Sequence, residues 1–224
     1  MNIFDTFFNI PVLIDSFPML LRGLGITIAL GAVSIVLGLV AGLVLALVRI
    51  YGPRILRLIA CGYIDVFRSI PILVLLVLIY YALPFVGIRL SAFTASVVTL
   101  SLVSSAYTAE IFRSGIEAIP RGQIEASQAL GYRFIPSLVD IILPQALKIV
   151  IPPLTSNCIN VVKDTALASV VAMPDLLKQA TQAQALAANP SPLIGAALMY
   201  LILLLPLVHL VSRLESYLNT GKKR

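Results

Sequence analysis

A chain of 224 residues in which 59% are apolar and only 12% charged is not built for water, since soluble domains carry about a quarter charged residues. Its net charge of +6 would suit a nucleic acid if gathered on one face, but the Lys and Arg residues are scattered between long apolar runs. That pattern excludes nucleic acid as a partner and reports orientation in membrane lipid instead, with room for roughly five or six helical spans and no further soluble domain.

Residues 1–18 contain Asp5 and Asp15, and no base precedes Arg22, so the positive flank of a cleaved signal peptide is missing. They read as an amphipathic segment on the extracytoplasmic surface. Residues 23–48 then run 26 positions without a charge, the strongest membrane span in the chain. Within it Gly38 and Gly42 form a GxxxG, which lets another helix approach closely. A second span is expected over residues 56–81, ended by Pro84 and Gly87, and a third over 92–111. Residues 112–148 hold seven charged side chains, too many for a bilayer, and read as a soluble loop with a helix of its own. A fourth span, 149–171, opens at Pro152-Pro153 and carries Lys163 and Asp164. The polar run QATQAQALAANPSP reads as a connection to a fifth span, 193–210, and a basic tail occupies 216–224.

Five spans place the termini on opposite faces. With the N-terminus outside, eleven Lys and Arg residues fall on the inner side, and only Arg22, Arg89 and Lys178 fall outside. The positive-inside bias therefore gives N-out, C-in. Cys61 and Cys158 lie in apolar runs without metal-like spacing and read as packing residues, so no metal site and no disulfide framework is expected. One histidine, no HExxH and no GxSxG leave catalysis without its usual parts.

Within the inner loop, Pro120 to Gly131 reads as a short helix. Residues 123–130 are good helix formers, Glu125 is expected in the first turn, and Gly131 is placed to cap the end. Two turns of helix do not persist alone, so a partner surface must hold them. Glu125-Ala126-Ser127, three residues, Gly131, nine residues, then Ile141-x-Leu143-Pro144 resembles the EAA loop of the membrane subunits of bacterial ATP-binding-cassette importers. Ser127 is the one departure, at a position that is usually alanine. EIFRSGIEAIPRGQIEASQALG, VVKDTALAS and YIDVFRSIPIL resemble the polar amino-acid permease branch of that family, over about residues 20–215.

The resemblance implies an all-α membrane protein with a type I importer-like transmembrane domain over 19–215, residing in the bacterial cytoplasmic membrane. It implies a transport subunit that works beside a second permease subunit, the same or different, with two cytoplasmic ATPase subunits and an extracytoplasmic solute-binding protein. Arg121, Gly122, Glu125, Ala126, Ser127, Leu130 and Gly131 would form the coupling surface on the ATPase. The chain lacks the phosphate-binding GxxxxGK[ST], so ATP is handled by a partner and no cofactor is expected here. By the same resemblance, the Lys163-Asp164-Thr165 stretch would lie beside a pocket for an amino acid halfway through the membrane.

Charges at membrane depth need a partner or a purpose. Asp65 and Arg68, three apart on one helical face, can neutralise each other or contact a zwitterionic solute. Lys163 and Asp164 are adjacent, point about 100° apart and must each look elsewhere. Glu110 and Arg113 are expected to pair at the inner end of the third span. The competing reading is an ion-coupled secondary transporter or channel in which Asp164 carries protons or cations. Such a carrier has no use for a capped EAA helix, and five spans make a poor inverted repeat.

Overall fold

The computed structural model describes residues 6–220, and within them there are helices and turns but no strand. Helix α1 runs from Ile10–Tyr51, followed by α2 (Arg54–Ser69) and α3 (Ile72–Val77). The latter continues as a π-helical turn, Leu78–Ala82, and a 3-10 turn, Leu83–Val86. Next come α4 (Ala92–Glu117), the short α5 (Arg121–Ala129), α6 (Phe134–Ser137) and α7 (Leu143–Asp164). A 3-10 segment, Thr165–Val171, leads to α8 (Leu176–Ala187) and α9 (Ser191–Thr220). Among the described residues, four helices are long and apolar enough to cross a membrane, and α2 with the helix beginning at Ile72, bent by 102° at their break, brings the number to five if the pair counts as one span.

Several boundaries differ from the sequence expectation. At 42 residues, α1 is about 63 Å long, well beyond a hydrocarbon core of about 30 Å, so it projects from the bilayer and runs unbroken through residue 18. The second span is interrupted at Ile70-Pro71, because proline clashes with a helical conformation of the residue before it. The loop is shorter than 112–148: α4 continues to Glu117, and the stretch from Val139 already belongs to the fourth span. Pro152 and Pro153 therefore lie inside α7, where each removes one backbone donor from the ladder. The polar connection before the last span is a helix, α8, capped by Asp175.

The chain divides into two units. One comprises the chain up to Val36, Ile70–Ser101 and Ile159–Val208. Its core gathers Leu30, Val97, Leu100, Ala168 and Met173 in one cluster, and Leu20, Leu176, Ala180 and Ala196 in another. Asn9 N–H donates to Ser191 Oγ at 2.9 Å, tying the start of α1 to the start of α9. In the other unit, Leu37–Ser69, Leu102–Cys158 and the chain from His209, small residues set the packing. A Cβ at Gly38 would stand 2.6 Å from Ser104 Oγ, and one at Gly42 would stand 2.5 Å from Thr108 Cβ. Only glycine permits this approach of α1 to α4, as the GxxxG spacing leads one to expect. Asn157 Nδ2 donates to the same Ser104 and Thr108 hydroxyls, at 3.3 and 3.2 Å, which adds α7 to the pair.

Outside these cores the apolar surface is extensive. Val36, Val40, Val44 and Leu47 recur at helical spacing along α1 and are exposed. Such a stripe in water would be an aggregation hazard, whereas against lipid tails it is the solvent face.

Candidate functional site

Three groups of residues carry the chemistry. The first is α5. Its backbone closes in a Schellman arrangement: Gly131 N–H donates to Gln128 O at 2.9 Å and Tyr132 N–H to Ser127 O at 3.0 Å. Gly131 sits at φ 82°, the left-handed cap expected for it. The N-cap position is Pro120, so Glu125 falls beyond the first turn rather than within it, and the helix dipole acts on it less than the sequence suggested. Gly122, Gln123, Glu125, Ala126, Gln128, Ala129 and Leu130 are exposed, Leu130 to 78%. The side chain of Arg121 lies outside the described residues.

Ser127 is the exception on this helix. It is buried, and its hydroxyl shares a 2.6 Å hydrogen bond with the hydroxyl of buried Ser137 on α6. The hydroxyl at the third EAA position is thus not a neutral replacement for alanine. It fastens α5 to the segment that returns toward the membrane, a partnership ten residues apart that helical spacing could not reveal.

The second group centres on Glu110. Its Oε2 accepts from Arg49 Nη1 at 2.7 Å and Arg113 Nε at 3.1 Å, and its Oε1 accepts from Arg113 Nη2. Arg113 also pairs with Glu117. Arg68 Nη1 stands 3.9 Å from the same carboxylate, with its guanidinium over the Tyr107 ring at 5.5 Å. The expected Glu110–Arg113 pair is present, but the Asp65–Arg68 pair is not. Arg68 turns to a carboxylate and an aromatic face on α4, and Asp65 is exposed and forms no ion pair among the described residues. Sharing a helical face permitted that pair without requiring it. Three guanidiniums meet two carboxylates here, which ties α1 and α2 to α4 and leaves one positive charge in surplus. A half-buried bidentate network of this kind is stronger than isolated surface pairs.

The third group is the Lys163–Thr165 step, where α7 tightens into the 3-10 segment. Lys163 is exposed and Asp164 half-buried, and neither forms an ion pair among the described residues. Thr165 is fully buried, its Oγ1 donating to Val162 O at 2.6 Å. Within this step exposure falls from Lys163 through Asp164 to Thr165, whose side chain is tied to the backbone of the turn itself. Asp65 and Arg68 belong to one unit and these three residues to the other.

The sequence reading passed over a buried carboxylate. Asp175 is fully buried; its Oδ1 accepts from Lys178 N–H at 3.0 Å as the N-cap of α8. Burial pushes its pKa up to about 6, against the opposing pull of the backbone N–H groups of Lys178 and Leu177. Its signal was visible as an acid just before Leu176-Leu177-Lys178, an N-terminal helix signature.

The profile of the family described as "Binding-protein-dependent transport system inner membrane component" matches residues 34–224. An arginine transport system permease protein of Bacillus subtilis (strain 168) is 39% identical over 210 residues, covering 93% of this chain and 96% of that protein. A probable glutamine ABC transporter permease protein of the same strain is 36% identical, covering 94% and 98%. Among solved structures, that of an amino acid ABC transporter with histidines is similar at a TM-score of 0.86, with 35% identity over 92% of this chain and 96% of that one. An inward-facing MetNI methionine ABC transporter is similar at 0.74, with 25% identity over 89% and 96%. The chain belongs to the family of binding-protein-dependent transport system inner membrane components, as a multi-pass permease subunit of an inner-membrane ABC transporter.

Proposed function

We propose that this permease subunit moves a polar amino acid inward, paired with a second permease subunit, over two ATPase subunits and beneath a solute-binding protein. The observation that carries the coupling half of this reading is α5, a nine-residue helix capped at Gly131 and exposed along most of its length. A helix this short needs a partner surface, and the ATPase of an ABC complex supplies one. For the solute, the named relatives handle arginine and glutamine, and a similar structure contains histidine. All three are polar amino acids. An amino acid carries a carboxylate and an ammonium, and Asp164 with Lys163 offers one charge of each sign to meet them. Asp65 and Arg68 are secondary candidates, Arg68 through the surplus charge around Glu110.

The charge distribution supports N-out, C-in, which puts α5 on the cytoplasmic side beside ATP. Single cysteines test this in a background lacking Cys61 and Cys158. With Arg54→Cys or Gln123→Cys, intact cells treated with an impermeant thiol reagent should show no labelling, whereas Arg89→Cys should label. Arg89 is exposed and, unlike Ser91, does not cap α4. Labelling of position 123 from outside would overturn both the orientation and the coupling role.

A further inference from the structure

Among the described side chains of α5, Ser127 alone is buried. The helix otherwise meets the rest of the chain through its ends: Gln123 N–H donates to Pro120 O at 2.9 Å, and the Schellman bonds close the far turn. That turn is compliant, for Leu130, Gly131, Tyr132 and Arg133 are all exposed and Gly131 has no side chain to pack. The Ser127–Ser137 hydrogen bond bypasses it, joining at 2.6 Å two residues that are 1% and 4% exposed.

Beyond Ser137 the chain is firmly packed. A π-helical turn, Leu138–Ile142, follows at once, and Gln145 Nε2 donates to Ile141 O at 2.8 Å, taking a carbonyl of that turn. Ile142 and Ala146 pack with Ile116 and Ile119, at and just past the end of α4. A Cβ at Gly115 would collide with Val150 Cγ2, so α7 and α4 also touch one turn further on. From Leu143 the helix α7 runs unbroken to Asp164. The fourth span thus begins on a packed base, and the Ser137 hydroxyl is the polar handle at its start. A hydrogen bond there resists shear, because it weakens steeply once its angle falls below about 120°, whereas alanine at either position would let the two surfaces slide.

We propose that Ser127 and Ser137 are positioning residues for coupling: their bond is the contact through which a displacement of α5 enters the fourth span, so that without it ATP is hydrolysed with less solute moved. The inference rests on the reading of α5 as the helix seated on the ATPase.

The subunit is reconstituted in vesicles with its ATPase and solute-binding protein, and ATP hydrolysed and labelled amino acid taken up are measured together. In Ser137→Ala, hydrolysis stimulated by loaded binding protein should stay near the wild-type rate, because the substituted side chain is buried away from the exposed face of α5. Uptake per ATP should fall about threefold to tenfold, the scale set by one lost neutral hydrogen bond. Thermal stability separates linkage from packing alone. Ser137→Ala leaves the buried Ser127 hydroxyl short of this bond and should lower the melting temperature of the complex; adding Ser127→Ala removes both polar groups and should restore it. Uptake per ATP should stay low in the double variant, since no side-chain bond then crosses the turn.

Wild-type uptake per ATP in Ser137→Ala, or a ratio that recovers together with stability in the double variant, overturns the proposal. Should Ser137→Ala fail to assemble, the double variant decides alone: a low ratio supports the linkage and a wild-type ratio removes it. Glu125→Lys in the same vesicles reports on the underlying reading. Full stimulated hydrolysis there takes the ATPase seat from α5, and the linkage with it, whereas lost hydrolysis there beside a wild-type ratio for Ser137→Ala overturns the linkage alone.

Discussion

Replacing Gly131 with valine is expected to abolish most transport while leaving membrane insertion intact. Gly131 occupies the left-handed region at φ 82°, which a residue with a side chain enters at a cost of about 1 to 2 kcal/mol, and valine at the upper end. A Cβ there would meet nothing within 4 Å, so the penalty is conformational and falls on the Schellman bonds that end α5. A helix end displaced by that energy presents its exposed face wrongly to the ATPase. Hydrolysis stimulated by loaded binding protein should drop about fivefold to thirtyfold. Glu125→Lys acts differently: the residue is exposed and beyond the first turn, so its effect comes from reversing a contact with the partner rather than from the helix dipole. Both effects are measured on the purified complex. Full stimulated hydrolysis in both variants would remove α5 from coupling.

Asp164→Asn should cut solute affinity at the membrane site by about ten- to a hundredfold. The substitution keeps volume and loses one charge-assisted contact, worth roughly 1.5 to 3 kcal/mol. The complex should assemble normally, because the half-buried carboxylate forms no ion pair among the described residues. Uptake kinetics over a range of loaded binding protein check this. Normal uptake of every solute by an assembled variant would make Asp164 structural.

Parts of the fold were legible because local chemistry dictates them. Glycine spacing at Gly38 and Gly42 foretold a close helix approach, and the place of Gly131 foretold a left-handed cap. The Glu110–Arg113 pair followed from its three-residue spacing. Long-range partners were not legible: Arg49 lies 61 residues from Glu110, and nothing in helical periodicity joins them. The same blindness produced the expected Asp65–Arg68 pair, since a shared face says nothing of a better acceptor on another helix. Charge density marked residues 112–148 as outside the bilayer, but helices project beyond the hydrocarbon, so the charged ends of α4 and α7 were read as loop. In α8 a polar composition hid a helix whose N-cap, Asp175, was present in the sequence. The next residue shows the limit most clearly, for the hydrogen bond from Leu176 N–H to Thr27 Oγ1 joins α8 to α1 across 149 positions and exists only once the chain has folded.

The most direct test of the whole reading is energetic. The subunit, reconstituted in vesicles with its ATPase and solute-binding protein, is supplied with trapped ATP after all ion gradients have been dissipated. Uptake of a labelled amino-acid mixture should proceed under those conditions and stop when ATP is withheld. Uptake that continues without ATP, driven by an imposed proton or sodium gradient, would contradict it and favour an ion-coupled carrier.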